Sequence, residues 1–340
     1  MNRSSHSFVL LGAVAVVIGC AVACAAEPQA GPDRPVVLQL QWQPQAQFAG
    51  YMVALDKGFF REAGLPNVEL RWWLEGDQPF RRVMDGKADF CTGWLSQGLA
   101  ERAQDRKIVN IAQIMQRSAL MLVVRSDSGI TRPEDMAGRR VGLWGGDFDV
   151  QPKAFFKKYG VEPEIVLQSS SVVPFLRSAV DVASAMYYNE YHKLIEAGLQ
   201  RGELRTFFFS DHDMNFPEDG IYCTEATRRD RPSVCRALVS ASIKGWAYAL
   251  AHEREALDIV MRHCDQAKMP TNRNHQRWML RAMGELIRHR VGNDPSCWGT
   301  LQQKDFDCVA RVLREQKLIE RIPPFSAFYR PVPAGGGGSP

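Results

Sequence analysis

The stretch Gln41–Phe60, QWQPQAQFAGYMVALDKGFF, marks the place where a strand hands over to a helix. Just before it, Leu38, Leu40 and Trp42 alternate with Gln39 and Gln41, the period-2 pattern of a strand. Further on, Phe48, Met52, Leu55 and Phe59 share one face of a 3.6-residue repeat, which predicts a helix over Phe48–Phe60. Between the two lie glutamines, a proline and a tryptophan. Glutamine is not a favoured helix cap, and tryptophan is an odd choice for a tight turn. Amides that both donate and accept, set beside an aromatic face where a strand ends, suit a corner that holds a ligand.

The same grammar recurs along the chain. NVELRWWLEG is a second alternating stretch, and QPFRRVMDGKADFCTGWL reads as a short helix, a turn at Gly86 and a buried strand. RRVGLWGGDFDVQPKAFFKKYG reads as strand, Gly-Gly corner and helix. PEIVLQSS, SVVPFLRSAV and VASAMYYNEY follow as strand, helix and strand, and LRTFFFSD as a further strand. Strands alternating with helices predict β-α-β units on mostly parallel sheets. Two such sets, before and after about Val123, predict two α/β lobes. From Pro232 onward helix patterns dominate, and the glycine-rich segment 331–340 is expected to be a flexible tail. No repeat of fixed period is present, which excludes a solenoid.

A chain of 340 residues, 45% hydrophobic and 24% charged, has room for about two globular domains. Its formal charge of +4 comes with no concentrated basic stripe, which argues against a nucleic-acid partner. The Arg/His-rich RNHQRWMLRAMGELIRHR is read as a solvated helix face opposite a Trp/Met/Leu core face. At the N-terminus, one Arg in MNRSSHS precedes an apolar or small run from Phe8 to Ala26, the layout of a signal peptide over residues 1–26. VIGC also resembles a lipoprotein cleavage box, so the mature protein is expected in the periplasm, either soluble or lipid-anchored through Cys20. An exported chain permits disulfides. Six cysteines follow the leader, with Cys297–Cys308 the expected pair. There is no CxxC, so no zinc site is expected.

In open α/β sheets, ligands bind where strands end and the following loops meet. Six such loops, QWQPQAQF, CTGWLSQG, IMQRS, WGGDFD, MYYNEY and NFPEDG, draw on aromatics, amides and carboxylates. The candidate ligand contacts are Trp42, Gln45, Gln47, Trp94, Gln116, Trp144, Asp147, Asp149, Tyr188, Asn189, Glu190 and Asp219. Rings stack on a planar heterocycle for about 0.5–1.5 kcal/mol per pair, with Trp42 and Trp144 the expected clamp. Amides serve ring nitrogens, and carboxylates accept from amino groups. Glu190 and Asp147 are the acids most expected to do so. An anion site wants arginines and free N–H groups, yet these loops hold only Arg117. GLWGGDFD lacks the P-loop Lys-Ser/Thr, and its Asp147 and Asp149 would repel a phosphate. No G-x-S-x-G, HExxH or Cys-His signature appears, so no catalytic residue, cofactor or metal is assigned. His192, His212 and His275 are read as solvated, and Asp211–Asp213 (DHD) as too short for a metal site.

Five segments, QWQPQAQFAGYMVALDKGFFREAGL, DGKADF, PEDMAGRRVGLWGGDFD, AMYYNEYHKLIEAG and EDGIYCTE, carry a resemblance. They resemble the periplasmic solute-binding proteins of ABC importers in the group related to the fungal thiamine-pyrimidine synthase. The resemblance covers about Leu38–Glu225. It implies a two-lobed type II periplasmic binding protein, α/β in class, each lobe a mostly parallel sheet flanked by helices, with extra C-terminal helices. Lobe 1 would comprise 34–122 and 223–330, and lobe 2 would comprise 123–222, closing as a hinge over an interlobe ligand. The implied function is delivery of a thiamine-precursor pyrimidine or flavin-like heterocycle to an ABC permease in the inner membrane, by a monomer. A binder of a sulfonate or other small anion on the same fold is the alternative, ahead of a secreted enzyme or a receptor-coupled sensor. The fungal relatives use a lysine for pyridoxal phosphate, a histidine and a cysteine-rich motif. Here FCTGWLSQG has neither Lys nor His, and the chain has no cysteine cluster, so an enzyme is not expected.

Overall fold

The computed structural model describes residues 34–332. The expected signal peptide with Cys20, and the expected tail beyond Val332, lie outside the described residues. Ten strands form two five-stranded sheets. Lobe 1 holds β1 (Val36–Gln39), β2 (Val68–Arg71), β3 (Phe90–Gly93), β4 (Ile108–Gln113) and β10 (Gly220–Thr224), in the order β2-β1-β3-β10-β4. Lobe 2 holds β5 (Leu120–Arg125), β6 (Arg140–Leu143), β7 (Glu164–Leu167), β8 (Val182–Met186) and β9 (Leu204–Phe208), in the order β7-β6-β8-β5-β9. β1 runs parallel to β2 and β3, and β6 runs parallel to β7 and β8. The antiparallel strands are β10 and β5, each laid down just after the chain crosses from the other lobe. The two sheets therefore share one plan, the mostly parallel two-lobed arrangement of type II periplasmic binding proteins.

The strands follow their composition. In β1, VVLQ is buried at every position, as expected of a strand covered on both faces. The connections between sheets are 114–119 and 209–219, so Val123 and Tyr222, the expected crossover points, lie inside β5 and β10. The first helix differs more. It spans Ala49–Asp56 after a single 3-10 turn at Ala46–Phe48, and a separate short helix holds Phe59–Glu62. Gly58 breaks the expected Phe48–Phe60 helix by taking φ +76°, a conformation that costs glycine little.

The four longest terminal helices are Pro232–Ala251, Glu253–Gln266, Arg273–Arg288 and Gln303–Glu315. Proline opens the first, where its missing N–H costs nothing. Asn272 caps the third by accepting from the His275 N–H at 2.8 Å. In that helix Met279, Leu280 and Met283 are buried, while Arg281 faces out and pairs with Glu253, so its arginines lie toward the solvated face expected, whereas His275 is buried. No helix of the described residues is long and apolar enough to cross a membrane.

The expected Cys297–Cys308 bridge is not formed: all six described cysteines are free thiols. Gly299 accepts from the Gln113 N–H at 2.8 Å, and Trp298 is buried, which holds the segment after Cys297 on lobe 1. The Cys308 thiol instead points to the Asp213 carbonyl, 3.4 Å away.

The crossing segments are stitched by buried polar side chains. Asn215 receives the Ser118 N–H at 2.8 Å and donates to the Gln116 carbonyl at 3.0 Å. Glu218 accepts the Ala119 N–H at 3.0 Å, and the Gln113 amide donates to the Glu218 carbonyl at 2.6 Å. Pairing of this kind satisfies backbone groups that leave one sheet before joining the next.

Candidate functional site

The carboxyl ends of the parallel strands of both sheets converge on a cleft of about 440 Å³, within the range of about 300–1,000 Å³ usual for small-molecule pockets. The loop after β1 brings Gln41, Trp42, Gln45 and Gln47; Trp73 follows β2 and Trp94 follows β3. From lobe 2, Trp144 and Phe148 follow β6, Ser169 and Ser170 follow β7, and Tyr188, Asn189 and Glu190 follow β8. A hollow of about 460 Å³ elsewhere is walled by Lys157, Lys158 and Glu315, whose charges are already paired with one another or with Asp213.

Trp42 stacks on Trp73, with centroids 4.8 Å apart and planes at 19°, yet stays 37% exposed. The glutamines form a relay behind it. The Gln45 amide donates to Gln47 Oε1 at 2.6 Å, and the Gln47 and Gln41 amides donate to the Asp219 carboxylate at 3.1 and 2.5 Å. Burial pushes Asp219 up to about 7, against the pull of those two amides. The helix Arg273–Arg288 grips the same loop: Gln276 Oε1 accepts the Ala46 N–H at 2.6 Å. The opening glutamines are thus fixed from behind and presented forward.

On the opposite wall, Gly145 and Gly146 take φ +88° and +60°. Asp149 closes their corner by accepting the Gly145 N–H at 2.8 Å and pairing with Lys153 at 3.2 Å. That turn aims Trp144 and Phe148 at the cleft. Phe148 meets Trp94 edge-on across the lobes, with centroids 5.1 Å apart. Glu190 is buried; its carboxylate accepts the Met186 N–H at 3.1 Å and the Asn189 amide at 2.7 Å. Burial raises its pKa. Burial and the nearby acids also lift the Tyr188 phenol well above its ordinary value, so it stays a neutral hydroxyl. Two buried polar atoms of the lining have no protein partner: the acceptor Gln41 Oε1 on one wall and the donor Trp144 Nε1 on the other. Among the described residues, the lining contains no Lys, Arg or His.

Of the residues singled out from sequence, Trp42, Gln45, Gln47, Trp94, Trp144, Tyr188, Asn189 and Glu190 come together on this cleft. The others are placed elsewhere. Asp149 is consumed by its own turn, and Asp219 is buried behind the glutamines. Asp147 is exposed, 3.3 Å from the Gln97 amide. Gln116 belongs to the crossing, with its amide on the Gln113 carbonyl at 2.6 Å. Sequence reasoning missed Gln41, Trp73, Phe148, Ser169 and Ser170. RWW and QSS end β2 and β7, so the strand-end rule that picked the other loops would have found Trp73 and the serines too. The histidines are also corrected. His275 is buried with its Nδ1 2.9 Å from His192 Nδ1, and His212 lies 2.7 Å from the Tyr159 hydroxyl.

Comparison with known proteins places these features in a family context. Residues 45–256, more than half of the chain, match the family described as NMT1/THI5 like. The riboflavin-binding protein RibY of Chloroflexus aurantiacus is 26% identical over 252 residues, 71% of this chain and 70% of the relative. The formylaminopyrimidine-binding protein of Halalkalibacterium halodurans is 22% identical over 278 residues, 79% of this chain and 82% of the relative. Among solved structures, the periplasmic aliphatic sulphonate binding protein SsuA of Escherichia coli superposes with a TM-score of 0.67 at 11% identity, covering 90% of this chain and 96% of that one.

Proposed function

This chain belongs to the NMT1/THI5-like family, and from that premise we propose that it is an extracytoplasmic solute-binding protein of an ABC importer, capturing a small planar nitrogen heterocycle between its lobes. The ligand class is pyrimidine-like or flavin-like, handed on to an inner-membrane permease. The observation that carries this reading is the character of the cleft: aromatic and amide walls, an unpaired acceptor on one wall and an unpaired donor on the other, and, among the described residues, no cationic side chain. Stacking surfaces and amides recognise a polar ring. A sulfonate or phosphate would be left without the arginine or lysine that anion sites supply. Relatives named for riboflavin and for formylaminopyrimidine binding support the same ligand class. Among the described residues the lining also offers no lysine, histidine or cysteine for covalent chemistry, which supports binding over catalysis.

Calorimetry tests the reading. The protein, freed of retained small molecules by unfolding and refolding, is titrated with riboflavin, with a formylaminopyrimidine and with an alkanesulfonate. Saturable binding of one heterocycle, and none of the sulfonate, is expected. Tight sulfonate binding with neither heterocycle bound would overturn the proposal.

A further inference from the structure

Beside the cleft, two histidines and a glutamate from different lobes converge. His192 and Glu196 lie one turn apart on the lobe 2 helix Glu190–Glu196. His275 stands in the first turn of Arg273–Arg288, the terminal helix that grips the lobe 1 glutamine loop. His192 Nδ1 and His275 Nδ1 are 2.9 Å apart. Glu196 Oε2 is 3.4 Å from His275 Nδ1 and 3.8 Å from His192 Nδ1. One ligand atom from each residue lies within 4.8 Å of the others.

The hydrogen bonds around the cluster fix its protons. The Asn189 amide donates to Glu190 at 2.7 Å, so Asn189 Oδ1 is the atom turned to His275 Nε2, 3.0 Å away. His275 Nε2 must therefore be the nitrogen that carries the hydrogen of the neutral ring. Its Nδ1 is then a bare lone pair. His192 Nδ1 can supply one proton to it. The Glu196 oxygen facing the same point brings none. Three lone-pair atoms thus share at most one hydrogen, an arrangement a cation satisfies better than a proton.

The surroundings are those of a built site. Asn189 orients one imidazole through its second nitrogen, as carbonyl partners do for ligating histidines. Asn272 donates to the remaining Glu196 oxygen at 2.9 Å. The His192 ring lies flat on Trp278, with centroids 4.9 Å apart and planes at 17°. Lys193, on the same helix, is 3.7 Å from the Glu190 carboxylate. Donor separations in a tetrahedral zinc site are about 3.3 Å, given bonds of about 2.0–2.1 Å. The observed spacings straddle that value.

We infer that His192, Glu196 and His275 bind one divalent ion of the zinc class, through two imidazole nitrogens and one carboxylate oxygen, with a fourth position open to water. Two imidazoles and a carboxylate suit zinc, copper or nickel rather than magnesium or calcium. Such an ion ties lobe 2 to the terminal helix of lobe 1. It also fixes Asn189, which lines the cleft, so metal and solute sites share a residue.

The test uses untagged, chelator-treated protein, titrated calorimetrically with zinc chloride and with magnesium chloride. One zinc per chain and no magnesium are expected. His192→Gln and His275→Gln should each weaken zinc binding by about tenfold or more. Zinc should raise the melting temperature of the wild type and leave that of His192→Gln unmoved. Circular dichroism confirms that each variant is folded, and the half-buried His192 position guards against loss of fold at His275. Cobalt titration adds a visible absorption band in the wild type that disappears in His192→Gln. Failure of the wild type to bind zinc, or binding unchanged in both folded histidine variants, would overturn the inference.

Discussion

Trp42 shows how one residue serves two surfaces. One face rests on Trp73 and the other remains open to the cleft. Replacing Trp42 with alanine should weaken heterocycle binding by about 1–3 kcal/mol, the value of a lost stack plus its buried area. Trp144→Ala, which also removes the unpaired donor, should do at least as much. Calorimetry with whichever heterocycle binds the wild type decides it, and unchanged affinity in both variants would remove the aromatic walls from the site. The acids teach the opposite lesson. Glu190, Asp149 and Asp219 were legible as strand-end carboxylates, but composition does not say which way a carboxylate points. Each is claimed by a nearby N–H or amide, because an ionised carboxylate left unpaired away from water is costly. The cysteines follow the same logic of place. Cys297 is exposed while Cys91, Cys223, Cys235 and Cys264 are buried. Brief alkylation of the folded protein should therefore label Cys297 first. Mass spectrometry that finds the buried four labelled equally fast would contradict the packing.

At the level of elements, the crossing of Ala49–Asp56 with Pro232–Ala251 holds the cleft loop in place. The two helices touch at Gly50 and Gly245, where a Cβ on Gly245 would fall 2.0 Å from the Gly50 carbonyl oxygen and 2.8 Å from the Ala54 Cβ. Backbone cannot yield to a methyl group as a long side chain can. Gly245→Ala should cost about 1–3 kcal/mol or more, the range for overpacking a core. Urea unfolding measures it, and a wild-type midpoint would show that the helices can part. This contact could not be read from the chain, because its residues lie far apart in sequence and neither glycine sits in a turn. The strands were legible for a local reason: parallel strands buried on both faces are short apolar runs. The break at Gly58 was obscured because Phe59 continues the helical period, and the period says nothing about φ.

For the whole molecule, the connection between the lobes rests on Glu218, buried where both crossings meet and accepting the Ala119 N–H at 3.0 Å. Burial, with the charge of Asp219 beside it, pushes Glu218 from an ordinary 4.5 up to about 8, although the Ala119 N–H and the Ser118 hydroxyl pull it down. An acid that holds its proton more tightly folded than unfolded stabilises the fold fully below its unfolded value. That contribution is lost as pH rises toward the folded value, because the unfolded chain then binds fewer protons. Asp219, raised to about 7, acts the same way and is spent first. The buried and half-buried histidines have the opposite sign. His192, His212, His275 and His289 are all lowered from 6.5, so their contribution is complete about one unit above that pH and is lost as pH falls through it. Between about pH 7 and 8 the carboxyls therefore outweigh the histidines, Glu218 across the whole window. At about 1.4 kcal/mol per pH unit for one group, unfolding free energy should drop by about 1 kcal/mol across it. Denaturant melts at pH 7.0 and 8.0 measure the slope, and Glu218→Gln should flatten most of it even if the variant is less stable throughout. The slope, not the absolute stability, identifies the group. A flat wild-type profile would mean that the hydrogen-bond donors at the crossings outweigh burial and hold Glu218 ionised, leaving a fixed negative charge where the lobes join.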